Sequence, residues 1–125
     1  MNPRSNADIA RACFLAYAAG DRPALEALLA PGLRFTSPLD NGLDLATYLA
    51  VCWPTHAGIA GFAFVRVIED GDTVVVTYEQ ARHDRPGARN TEVLTVRDGR
   101  IEAVEVYFGW SLPHPVEAGG HRDPP

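Results

Sequence analysis

The chain has 125 residues, which fits one domain, and 46 % of them are hydrophobic, enough for a real core. Eleven basic residues, all arginine, stand against sixteen acidic ones, giving a net charge of −5. That balance excludes the cation-rich surface that nucleic acid requires.

Met1–Ala7 is polar and has no apolar signal core, and no apolar run approaches the length of a membrane span. A cytoplasmic chain with no membrane partner is therefore expected. From about residue 6 to 19, Ile9, Cys13, Ala16 and Tyr17 recur at helical spacing, and Gly20 supplies a stop. Asp21 is placed to cap a second helix, with Pro23 in its first turn and Leu25, Leu28 and Leu29 as its buried stripe. Leu33–Ser37 reads as a short strand and Pro38–Gly42 as a turn. Asp44 then caps a third helix carrying Leu45, Tyr48, Leu49 and Cys52, closed by Trp53-Pro54.

Four strands follow, over about residues 62–68, 73–82, 89–96 and 101–108. Asp70-Gly71 and Asp98-Gly99 mark two of the turns. Helices first and hairpins after them predict an α+β domain with helices on one face of an antiparallel sheet. If each Asp-Gly turn is a three-residue loop with a bulge, even-numbered residues share one face. That face holds Phe62, Phe64, Val74, Val76, Tyr78, Gln80, Glu92, Leu94, Val104, Val106 and Phe108. The odd face holds Val65, Val67, Thr77, Glu79, Thr91, Ile101 and Tyr107, and its apolar members predict a homodimer. A two-residue turn would flip one strand against its neighbour. Residues 111–125, rich in Pro and Gly, are expected to form an irregular tail outside a domain over residues 1–110.

Cys13 and Cys52 form neither a redox pair nor a zinc spacing, and His56, His83, His114 and His121 are scattered. Buried free thiols and no metal site are expected. With no Gly-rich phosphate loop, no cofactor is expected either.

Glu92 is the sharpest chemical signal. It shares a strand face with Leu94 and Val96, so the pattern points a carboxylate into an apolar interior. Burial disfavours the charged form, and a carboxylic acid kept neutral can donate to a developing oxyanion. The competing reading puts Glu92 at a half-solvated rim or beside an arginine.

The layout resembles the nuclear transport factor 2-like superfamily, which includes ketosteroid isomerase and the SnoaL-like cyclases. The marks are Ala19-Gly20-Asp21, Leu25–Ala30, the Ser37–Gly42 loop, and Val96–Ile101 before a strand ending Val106-Tyr107-Phe108. The resemblance implies a cone-shaped, cystatin-like fold with three N-terminal helices on a curved antiparallel sheet, and pairing into dimers. It also implies that Glu92 stands where the isomerases hold a protonated oxyanion acid. Ser37 stands where they hold the proton-shuttling aspartate, with Asp40 three residues on, able to substitute only if the loop folds inward. Cys13 stands where they hold an oxyanion tyrosine, with Tyr17 one turn later. Val104 and Val106 replace the histidine and aspartate of the cyclases, and the acids and arginine of the related epoxide hydrolases are not evident.

The candidate catalytic residues are therefore Asp40, Glu92 and Tyr17. Asp40 is a general base or merely a turn residue, and Tyr17 a donor or a packed aromatic. Tyr78 and Gln80 orient Glu92 or a ligand, or simply satisfy its hydrogen bonds. Trp53, Phe64 and Phe108 line a pocket or pack the core, and Ser37 completes the ligand-binding set. His56 titrates near neutrality or is an ordinary loop residue. The function expected is an isomerase or lyase acting on a hydrophobic carbonyl compound. The alternative is a non-catalytic dimeric module that binds a small apolar ligand.

Overall fold

The computed structural model describes residues 4–125; Met1–Pro3, the start of the polar N-terminal stretch, lies outside the described residues. The helices are α1 (Asn6–Ala19), α2 (Arg22–Leu28) and α3 (Leu45–Val51), the last leading into a 3-10 helix at Trp53–Gly58. The strands are β1 (Leu29–Ser37), β2 (Asp40–Leu43), β3 (Ile59–Asp70), β4 (Thr73–Arg82), β5 (Gly87–Arg97) and β6 (Arg100–Leu112). The helices pack on one curved sheet with strand order β2-β1-β6-β5-β4-β3. No described helix is long and apolar enough to cross a membrane.

Local chemistry sets the helix ends. The Ser5 hydroxyl accepts from the Asp8 amide, and Gly20 leaves α1 at φ 66°, a conformation that favours glycine. Asp21 and Asp44 cap α2 and α3 by accepting from the Ala24 and Thr47 amides. The α1 stripe of Ile9, Cys13, Phe14 and Ala16 is buried against the sheet. Phe14 meets Phe62, Phe64 and Tyr78 edge-on, with ring centroids 5.2, 5.5 and 4.7 Å away.

The sheet is mixed rather than antiparallel throughout, because β1 runs parallel to β6. Hairpin turns reveal only neighbours in sequence, and this contact joins opposite ends of the chain. β1 begins at Leu29, inside the stripe expected for the second helix. The expected Pro38–Gly42 turn is shorter: Pro38-Leu39 alone makes it, and Asp40–Leu43 pairs back on β1 as β2. β6 continues to Leu112, past the boundary expected at 110, and residues 113–125 carry no helix or strand.

The register assumption fails at both Asp-Gly turns, yet most of the face assignment holds. Asp70 pairs with Thr73 across Gly71-Asp72, and Arg97 with Arg100 across Asp98-Gly99, so both turns have two residues. Gly71 has φ 59°, and Asp98 and Gly99 have φ 53° and 75°, as tight hairpin turns require. Each turn flips the parity, and a bulge flips it back: one lies between Phe64 and Arg66, the other opposite Thr95-Val96 between Ile101 and Ala103. Beyond the bulges, Phe64, Val76, Leu94 and Val106 face the helices as expected. Between turn and bulge the expectation is wrong. Ile101 is fully buried and Val67 packs on the core, so neither belongs to the outer face.

That outer face carries ladders of paired side chains. The Thr77 and Thr91 hydroxyls lie 2.8 Å apart, and Arg89 donates to Glu79 at 2.8 and 3.0 Å while its guanidinium lies over Trp110.

Candidate functional site

Along the helix-facing side of β4 and β5 the side chains change character. Val74, Val76, Leu94 and Val96 are fully buried. The next inward positions toward the other end are Tyr78 and Gln80 on β4, and Glu92 and Asn90 on β5. There the helices and sheet diverge around a cavity of about 730 Å³. Its volume suits a small organic molecule.

Glu92 is half-buried, and what it exposes opens on this cavity. Tyr78 lies opposite Asn90 across the strands, which puts its hydroxyl diagonally over Glu92. That hydroxyl donates to Glu92 Oε2 at 2.7 Å. Burial pushes the Glu92 carboxyl up to about 7, partly offset by the Tyr78 hydrogen bond, which favours the anion. Glu92 thus keeps its proton to a much higher pH than an exposed glutamate does. Burial, and then the Glu92 charge, drive the Tyr78 phenol upward, so Tyr78 stays a donor.

Tyr17 from α1 lines the same cavity, and its hydroxyl is hydrogen-bonded to that of Tyr48 from α3. Burial holds both phenols above their ordinary value, and the Glu92 charge adds to it. One hydroxyl of the pair serves the other, which leaves one proton for a ligand oxygen. Cys13 is a buried free thiol in the same wall, raised by burial and then by Glu92. Cys52, also free, is pushed up to about 11 by burial and by Asp40. Neither thiol has the low pKa of a nucleophile.

Asp40 lines the cavity at the first residue of β2. The Ser37 hydroxyl donates to Asp40 Oδ2 at 2.7 Å and accepts from the Leu39 amide at 3.0 Å. The tight Pro38-Leu39 turn therefore brings Asp40 beside Ser37, on the same wall. Gln80 and Phe108 line the cavity as well, with Phe108 at its mouth, 54 % exposed.

Two candidates lie elsewhere. Trp53 is buried behind the wall, edge-on to Tyr17 at 5.0 Å and stacked on His56 at 4.2 Å. Phe64 packs on Phe14 at the closed end. Neither borders the cavity. Phe64 sits on the expected face of β3, but the cavity occupies only part of that face, and Trp53 belongs to the 3-10 helix that follows α3. The sequence reading missed Tyr48, Asn90, Arg82 and Arg85 as wall residues. Tyr48 carried a signal, a phenol within the apolar stripe of α3 and so in need of a buried partner.

Comparison with known proteins agrees with this architecture. The model of the SnoaL-like domain matches residues 10–104. The chain belongs to the SnoaL-like domain family. A solved structure from Kribbella flavida is 28 % identical, with a TM-score of 0.75 over 84 % of this chain and 88 % of that one. A candidate polyketide cyclase from Sinorhizobium meliloti is 22 % identical, with a TM-score of 0.68 over 79 % and 93 %. A protein from Catenulispora acidiphila with a ketosteroid isomerase-like fold, solved with trimethylamine, is 16 % identical, with a TM-score of 0.68 over 82 % and 85 %. No curated protein matches the chain.

Proposed function

We propose that this SnoaL-like domain is a small-molecule isomerase or lyase acting on a hydrophobic carbonyl compound. The observation that carries this reading is that Asp40 and Glu92 line one cavity while burial lets Glu92 keep a proton near neutrality. Asp40 takes a proton from the carbon beside the carbonyl. The electron pair moves onto the carbonyl oxygen, where Glu92 and the Tyr17–Tyr48 pair donate to it. Return of the proton to another carbon gives an isomer, and loss of a leaving group gives the elimination product. In the isomerisation a proton is relocated, and in the elimination the proton and the leaving group are both lost; neither branch oxidises or reduces the substrate, so the step draws on no redox cofactor.

Asp40 also favours the second reading, a binding module without chemistry, because its contact with Ser37 is one that a plain turn makes. Incubating apolar ketones with the protein in heavy water separates the two. Exchange at the carbon beside the carbonyl, lost in Asp40→Asn, supports the enzyme. Binding without exchange supports the module, and no binding by any ketone sinks both.

We further propose a dimer through the outer sheet face. With Val67 and Ile101 turned inward, it rests on exposed Val65 and Tyr107 and half-buried Val75 and Val93. Sedimentation at micromolar concentration showing only a 13.5 kDa species would exclude it.

A further inference from the structure

The geometry points to a ligand with two polar ends: the cavity takes an apolar molecule whose carbonyl meets Glu92 and whose carboxylate is held at the mouth by Arg85. This rests on the reading of the cavity as a small-molecule site and adds the class of molecule.

β4 carries the main observation. Its inward positions run Val74, Val76, Tyr78, Gln80 and Arg82, from closed core to a donor on Glu92, then to an amide, then to a cation. Tyr78 and Arg82 are four residues apart, or about 13 Å along an extended strand. A rigid two-ring skeleton is of that order of length, and Arg85 follows the end of β4 on the wall of the same cavity.

The cationic end is built. The Arg82 side chain is only 5 % exposed. Its guanidinium meets both carboxylate oxygens of Asp84, at 2.8 and 3.0 Å, and the Thr55 carbonyl at 3.3 Å. Its remaining arm reaches Gln80 Oε1 at 3.4 Å. A Cβ on Gly58 would sit 2.2 Å from Arg82 Nη2 and 2.5 Å from Asp84 Oδ2, so the pair fills a slot that glycine leaves open.

Asp84 is thus committed to Arg82. Arg85 borders the same cavity, and among the described residues no ion pair involves it. Asp84 carries one charge against the two of Arg82 and Arg85, so this part of the wall keeps a positive excess; Asp40, also on the cavity wall, belongs to the start of β2. Pro86 restricts the backbone of Arg85 to extended conformations, limiting the directions the arginine can take. Leu39, 82 % exposed, and Phe108 complete an apolar rim, which suits a greasy body better than a phosphorylated or sugar-like one. A carboxylate matches the planar donors of an arginine.

The test uses acetyl-biphenyl-carboxylate, with its ketone and carboxylate at opposite ends, and the matching carboxamide. Calorimetry at about pH 6 keeps the probe ionised and Glu92 largely protonated. The acid should bind about tenfold more tightly than the amide, and added salt should narrow the gap. Arg85→Gln should abolish the preference by weakening the acid more than the amide, with the melting temperature unchanged. Equal binding of acid and amide to the unmodified protein, or a preference that survives Arg85→Gln, overturns the carboxylate assignment and leaves the cavity reading standing. Binding of neither probe overturns both.

Discussion

One face of β4 and β5 does two jobs, and the change occurs within a single inward step. At the closed end, Leu94 and Val76 are fully buried among apolar neighbours from the helices. One inward position farther on, Glu92 and Tyr78 face the cavity, and beyond them Phe108 is half-exposed at its mouth. The backbone ladder runs unbroken past both: Leu94 pairs with Val74 and Glu92 with Val76. The difference therefore comes from what covers the face. Helix side chains fill the closed end, while the open end borders the cavity. The lesson is that the core acts as a scaffold holding an ionisable group where water is scarce.

The comparison breaks most readily by truncation. Leu94→Ala should cost about 2–5 kcal/mol in urea unfolding, because it leaves a cavity in a packed interior. Phe108→Ala should cost under about 1 kcal/mol, since its ring is largely solvated, while weakening any apolar ligand. Equal costs would mean that the two ends are not distinct.

Glu92→Gln sharpens it through pH. The folded pKa of about 7 lies above the ordinary 4.5. Below about 4.5 both folded and unfolded chains hold the proton, and the burial costs nothing. As pH rises from there to about 7, the unfolded chain ionises first, so stability falls. The loss approaches roughly 3 kcal/mol above pH 7. Glutamine carries no such loss, so the variant should gain on the wild-type protein as pH rises from 4 to 8. A constant difference between the two proteins across that range would contradict the burial of Glu92.

Tyr78→Phe probes the same carboxylate from its partner. Its hydrogen bond favours the anion, so its removal should move the Glu92 titration further upward in carboxyl NMR. The smallest effect belongs to the outer face. Thr77→Val removes one side of the Thr77–Thr91 contact and should cost about 0.5–1 kcal/mol, with no change in the Glu92 titration.

Much of this was legible from local chemistry. The caps at Asp21 and Asp44, the stop at Gly20 and the positions, though not the lengths, of the two Asp-Gly turns are decided by a few adjacent atoms. Glu92 stood out because a charged residue interrupted an apolar alternation. What was not legible depends on distant parts of the chain. The bulges at Val65 and beyond Ile101 restore the pairing across whole hairpins, so parity is right for Phe64 and Val106 and wrong for Ile101 and Val67, whereas Glu92 lies on an unshifted β4–β5 ladder. The parallel contact of β1 with β6, and the Tyr17–Tyr48 pair between two helices, require the fold to be assembled. Phe64 was right in face and wrong in depth, because alternation tells a side from its opposite but does not say where the helices stop covering it.

The most direct test is a carboxyl NMR titration of Glu92 in the unmodified protein. The expected result is a midpoint of about 7, well above the ordinary glutamate value of 4.5. A Glu92 midpoint at or below 4.5 would show that water reaches the carboxylate freely, and the distinction between the closed and open ends as dry scaffold and proton-holding site would not stand.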